Sequence, residues 1–169
     1  IDGEILKQVQ ENPYLGMTFS DDLKWTTHIS KITKRANSTL GFMRRNLKHC
    51  PSNCRKNAYL GLIRSKLEYG CVIWDPYQQG EIDKLERIQR SSARFIKKDY
   101  RSRQDGCVTA MLKDLELAPL QERRRHLRLT FLYKVVEGHV PAINIEHYLK
   151  PLRPKRTIRA KKYEDYIHK

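Results

Sequence analysis

The residues best suited to chemistry stand near the front of the chain, where Phe19-Ser20-Asp21-Asp22 sets two carboxylates side by side. Adjacent aspartates can hold a pair of divalent cations and so assist an in-line displacement at phosphorus. In one familiar form of such a site the acids sit on a tight turn between two apolar strands, with a further carboxylate well upstream. Here Asp22 runs into Leu23-Lys24-Trp25-Thr26-Thr27-His28, which heads for a helix, and too little chain precedes the pair to supply the rest. We therefore expect Asp21 and Asp22 to act as acids near a helix N-terminus, satisfying free amides and suiting the dipole. No catalytic residue is expected in this chain.

Other reactive types are no better placed. His49, Cys50 and Cys54 lie close together, but a structural zinc site draws a tetrahedral ligand set from paired clusters, and no second cluster follows. Cys50, Cys54, Cys71 and Cys107 lack paired CxxC spacing and are expected as reduced thiols in an intracellular protein. The histidines are scattered, and no P-loop, GxGxxG or GxSxG occurs. The expectation is no metal, no cofactor and no small-molecule substrate.

Charge is more informative. The 169 residues carry 34 Lys and Arg against 19 acids, a net charge of +15. Such an excess repels itself in a compact state and points to a polyanionic partner, nucleic acid first and an anionic membrane surface second. No apolar run approaches the roughly 18 residues needed to cross a bilayer, so no membrane partner is expected. With 39% apolar and 31% charged residues the chain reads as folded with a charged surface. It opens on Ile1, not Met, and without a signal peptide, so a piece of a longer polypeptide is expected.

Elements must then position these charges. Ile1, Ile5 and Val9, a turn at Asn12-Pro13, and the strand-favouring run Tyr14 to Phe19 read as a β-hairpin. From Thr26 the period becomes helical: Ile29, Ile32, Ala36, Leu40, Met43 and Leu47 form one stripe, with Lys31, Lys34, Arg35, Arg45 and Lys48 largely off it. A second helix, capped by Ser52 or Asn53 and running to about Tyr69, is apolar on more than one face and so central. Cys71 to Trp74 then leads to a turn at Asp75-Pro76-Tyr77. A third helix from Glu81 to Lys98 turns Ile82, Leu85, Ile88, Gln89, Ser92 and Ile96 inward, opposite Arg87, Arg90, Arg94, Lys97 and Lys98.

A short helix near Val108–Leu115 follows, then a long one opened by Pro119. Leu120, Leu127, Phe131, Leu132, Val135 and Val136 form the apolar side of that long helix, and Arg123, Arg124, Arg125 and Arg128 make its first half cationic. Trp25, Tyr59, Tyr69, Trp74 and Phe131 sit among apolar residues and are expected in the core. The predicted fold is mainly α: a short N-terminal β-hairpin, a bundle of about five helices, and a flexible basic C-terminal tail over residues 150–169.

The phrases YLGMTFSDDLKWTTHISKI, KRANSTLGFMRRNL, LEYGCVIWDPY, IDKLERIQRSSARFIKKDY and VTAMLKDLELAPLQERRRHLRLTFLYKVV occur in that order. Together they resemble the region following the palm in jockey-like non-long-terminal-repeat retrotransposon reverse transcriptases, over residues 14 to about 138. The resemblance implies a hairpin at the palm–thumb junction over 1–25, thumb-like helices over 26–75 and a helical extension over 76–149, ahead of the tail. Tyr14, Leu15 and Gly16 then correspond to a primer-gripping hairpin, and Asp21 and Asp22 to a D-L-x-W phrase outside the catalytic pair.

The function implied is that of a non-catalytic C-terminal fragment of an RNA-directed DNA polymerase, whose magnesium belongs to the parent's active site. Its partners would be an RNA and DNA template–primer duplex and the remainder of that polymerase. Lys31, Lys34, Arg35, Arg87, Arg90, Arg94, Lys97, Arg123, Arg124 and Arg128 would contact the phosphates. The parent element would work in the nucleus, with the cytoplasm as alternative. Two other readings are a domesticated basic helical module that meets an acidic protein, and an inert element remnant.

Overall fold

The stripe beginning at Ile29 winds into α1 (Thr26–Asn46) in the computed structural model, which describes residues 9–143. Ile29, Ile32, Ala36, Leu40 and Met43 are all buried, as a 3.6-residue period requires. Ile1, Ile5 and the expected basic tail lie outside the described residues.

Ahead of α1, β1 (Glu11–Tyr14) pairs antiparallel with β2 (Met17–Ser20). Tyr14 faces Met17, so the loop is Leu15-Gly16, and both residues have positive φ, 46° and 80°. That backbone twist matches the flanking strands. The expected turn at Asn12-Pro13 is therefore corrected. Pro13 lies inside β1, where an edge strand can spare its missing donor.

A two-stranded hairpin is marginal alone and needs a support. Met17 and Thr18 are buried, and the rings of Phe19, Trp25, His28 and Trp74 meet edge to face with successive centroids 5.3, 6.0 and 5.2 Å apart. The Thr18 amide donates to Nδ1 of the buried His28 at 3.2 Å, and the Tyr69 hydroxyl donates to the Leu15 carbonyl at 3.1 Å.

The second helical rod is built from α2 (Ser52–Tyr59), a π-helical turn (Leu60–Arg64) and α3 (Ser65–Glu68). Arg55, Tyr59, Ile63 and Leu67 are buried at strict fours. In an α-helix that spacing drifts by about 40° per step, and the wider π turn takes up the drift. One face is thus buried, with Leu62 exposed, in place of the expected burial on several sides. Pro51, in extended conformation, occupies the cap position without a side-chain bond, and Asn53 Oδ1, inside the first turn, accepts the Cys54 amide at 2.8 Å.

Gly70 (φ 65°) ends the rod, and a Cβ there would meet Met17 Sδ at 2.9 Å. The chain then winds one more turn, α4 (Cys71–Trp74); with the second rod counted as one, the described helical segments number six, against about five expected. In α5 (Gln79–Lys97) the inner face is the predicted one. Its buried Gln89 accepts the Tyr59 hydroxyl and donates to the Ala118 carbonyl, both at 2.9 Å.

α6 (Cys107–Asp114) and α7 (Leu120–Val136) complete the order. One apolar cluster runs from Met17 to Leu120, joining the hairpin, α1, the second rod and α5. The chain divides into two units, 1–129 and 130–169. Within the first, Leu127 and Tyr69 are exposed; within the second, Val135 is buried while Phe131, Leu132 and Val136 are exposed. The core placement expected for Tyr69 and Phe131 is corrected accordingly. No helix among the described residues is long and apolar enough to cross a membrane.

His28 gives this packing a pH dependence. Burial, reinforced by the charges of Arg35 and Lys31, holds its pKa below the usual 6.5. As the pH falls through 6.5 the unfolded chain takes up a proton that the folded chain resists, so stability drops on the acid side. The melting temperature should fall between about pH 7 and pH 5.5, and His28→Gln should flatten that slope. An equally steep slope in the variant would remove His28 as the cause.

Candidate nucleic-acid interface

Helix α1 contains five Lys or Arg and no acid. Helix α5 has its acids, Glu81, Asp83 and Glu86, toward its start and Arg87, Arg90, Arg94 and Lys97 after them, an order that suits the macrodipole. Trp25, Thr26 and Ile29 share a cleft with Gln78 and Glu81, while Arg44 and Lys48 share another with Phe95 and Lys98. The two helices therefore run parallel, with their basic ends side by side.

The expected phosphate-gripping residues fall into three groups. Lys34, Arg35, Arg87 and Arg90 are exposed and have no ion-pair partner among the described residues. Lys31 pairs with Glu11 and Lys97 with Asp114, both partly exposed. Such surface pairs contribute about 0–1 kcal/mol and open readily. The remaining four are engaged within the fold. Arg94 donates to the Asp99 carbonyl at 3.2 Å and to the Ser102 carbonyl at 3.0 Å. Arg123 makes a two-pronged pair with Glu68, its Nη2 lying 3.0 Å from Oε2.

Asp75 takes Arg124 Nε on one oxygen and Arg128 Nη1 on the other, each at 2.8 Å. Arg124 has 0% of its surface exposed, so the expected solvent-facing stripe at the start of α7 is corrected. Here Arg123, Arg124 and Arg128 hold α7 to Glu68 and Asp75, and Arg125 alone of the four arginines expected on that face is exposed without a partner among the described residues.

At the hairpin tip, Tyr14 and Leu15 are exposed, and a Cβ on Gly16 would lie 3.3 Å from the Tyr69 ring. Gly16, His28, Ile32, Arg35, Lys66 and Tyr69 line an open cleft of about 190 Å³. Gly16 at the hairpin tip and the basic edge of α1 thus share one cleft. Lys66, which the sequence did not single out, joins them from α3, its Nζ donating to Thr39 Oγ1 at 3.0 Å.

Asp21 and Asp22 sit in the turn after β2, and not in the first turn of α1. Asp22 accepts the Lys24 amide at 3.0 Å and pairs with Lys24 Nζ at 3.2 Å. The Lys24 amide bond is the main cause holding its carboxyl below the usual range. The helix-terminal role expected for these acids is corrected: Asp22 closes its own turn. Among the described residues no group of three or more His, Cys, Asp and Glu side chains could hold a metal. The four cysteines are free, and burial pushes the Cys71 thiol up to about 11.

Asp75→Ala would leave the Arg124 charge buried without its acceptor. Removing one partner of a buried pair typically costs about 3–5 kcal/mol. Urea denaturation should show a loss of that order, whereas Lys31→Ala should change stability by less than about 1 kcal/mol. Equal, small effects from both would remove the anchoring role of Asp75. Comparison of the chain with protein-family models, with curated proteins and with solved structures finds no match.

Proposed function

We propose that this chain is the non-catalytic, template–primer-holding part of an RNA-directed DNA polymerase of the retrotransposon kind that its ordered phrases resemble. The observation that carries the reading is that Gly16, beside the exposed Tyr14 and Leu15 of the hairpin tip, lines one cleft with Arg35 and Lys66. Lys34 extends that cationic edge along α1, and Arg87 and Arg90 form a second exposed track on α5.

Phosphate contacts of this kind release counterions and position a duplex without reading its sequence. A polymerase that must accept any template needs that sort of grip. Lys31 and Lys97 can join it once their weak surface pairs open. Magnesium-dependent chemistry belongs to the palm of the parent enzyme.

The test is charge reversal with a primed RNA–DNA duplex as probe. Arg87→Glu/Arg90→Glu and Lys34→Glu/Arg35→Glu should each weaken low-salt binding by about tenfold. Each should also make the salt dependence shallower by about 0.9 for every phosphate the variant no longer neutralises. Unchanged affinity and slope in both double variants would end the reading. Nucleotide incorporation by the purified chain would overturn its non-catalytic part.

A further inference from the structure

The parallel run of α1 and α5 ends in a second cleft that the sequence did not announce. Arg44, Lys48 and His49 approach it from the end of α1, and Phe95, Lys98 and Tyr100 from the end of α5. Its volume is about 270 Å³, and no acid lines it. Two helix C-termini each contribute roughly half a negative charge, so three full positive charges leave the cleft strongly cationic.

Tyr100 is 50% exposed, and the Arg44 guanidinium lies over its ring, 5.8 Å from the centroid. Arg44 also donates to the Ser91 carbonyl at 3.4 Å. The loop carrying Tyr100 is fixed rather than loose. Asp99 accepts the Arg101 amide at 3.1 Å and the Ser102 amide at 3.0 Å, and Arg94 ties Asp99 and Ser102 back to α5. Lys98 stands at φ 57°, a left-handed position that glycine adopts more easily than a residue with a Cβ. A lysine kept where glycine would be easier is consistent with a use for its ammonium group.

We infer that this cleft binds one unpaired nucleotide of a nucleic-acid strand, its phosphate between Arg44, Lys48 and Lys98 and its base against the open part of Tyr100. The cavity suits a single nucleotide, and the aromatic ring backed by a guanidinium favours a base over a carboxylate side chain. This inference rests on the proposed nucleic-acid function and adds to it a single-strand site separate from the hairpin tip.

The test compares a short blunt duplex with the same duplex bearing a single-stranded thymidine overhang, using the full chain. The wild type should prefer the overhang probe. Tyr100→Ala should weaken that probe by about tenfold, as removal of one stacking platform predicts. Lys98→Gly, which the left-handed backbone accepts, should weaken it several-fold with a shallower salt slope. Both variants should bind the blunt duplex within about twofold of wild type, and neither should melt below the wild-type chain.

Equal affinity of the wild type for both probes would overturn the single-strand site while leaving the duplex grip standing. So would parallel weakening on both probes, or displacement of the overhang probe by polyglutamate as readily as by oligothymidine. Failure of the wild type to bind either probe would end both proposals together.

Discussion

The packing of α5 is the constraint on which the rest of the first unit depends. Its inner face must satisfy several neighbours at once: the apolar stripe of α1, the buried side of the second rod, and the segment that leads into α7. Gln89 makes the requirement plain. It is 1% exposed, and its amide is satisfied only when Tyr59 on α2 and the carbonyl of Ala118 are both in place. An unpaired buried amide would cost about 1–3 kcal/mol, so the three elements are fixed together. Once Leu85, Ile88 and Ile96 face inward, Arg87 and Arg90 have nowhere to point but outward.

A chain with a net charge of +15 must also decide which cations to place in its seams. A guanidinium can be buried if carbonyls or carboxylates receive it. Arg55 does this with carbonyls alone, donating from Nε to Ile96 at 3.0 Å and from Nη1 to Cys50 while its guanidinium carbon lies 5.9 Å from the centre of the Phe95 ring. Arg124 does it in part, through Nε on an Asp75 that Arg128 shares, while its Nη1 and Nη2 are buried without a partner among the described residues. Lysines, with a compact and strongly hydrated ammonium, stay at the surface. The sorting leaves a cationic exterior made of residues that the fold does not need for its own cohesion, which is the condition for lending them to a polyanion.

The sequence made the periodic parts of this arrangement readable and left the rest obscure for physical reasons. The start of α1, its buried stripe and the inner face of α5 follow from spacing alone. The hairpin was legible as an element, but its turn was not: Asn12-Pro13 is the stronger local signal, and Leu15 at positive φ gives none. The π turn was visible in principle, since Arg55, Tyr59, Ile63 and Leu67 recur at strict fours. The fate of Arg124 was not, because its acceptor lies 49 residues away. A run of arginines looks the same in sequence whether it faces water or a carboxylate. The second cleft was hidden more deeply, because it exists only where two helices run parallel and end together.

That parallel ending also distinguishes binding charges from capping charges. Basic residues near a helix C-terminus often serve the terminal carbonyls. Here the carbonyls of Met43, Arg94, Phe95 and Ile96 are already taken. The carbonyls of Arg94 and Phe95 receive the amides of Asp99 at 3.1 Å and Lys98 at 3.3 Å, and Arg55 occupies that of Ile96. At the end of α1 the Met43 carbonyl receives the Leu47 amide at 2.8 Å. Neither the Lys48 nor the Lys98 side chain bonds a terminal carbonyl among the described residues. Their electrostatic service to the dipole needs at most about one unit of charge across the two ends, and Arg44 alone supplies that. The ammonium groups of Lys48 and Lys98 are therefore surplus to the helices, held at a cleft whose chemistry suits an anion.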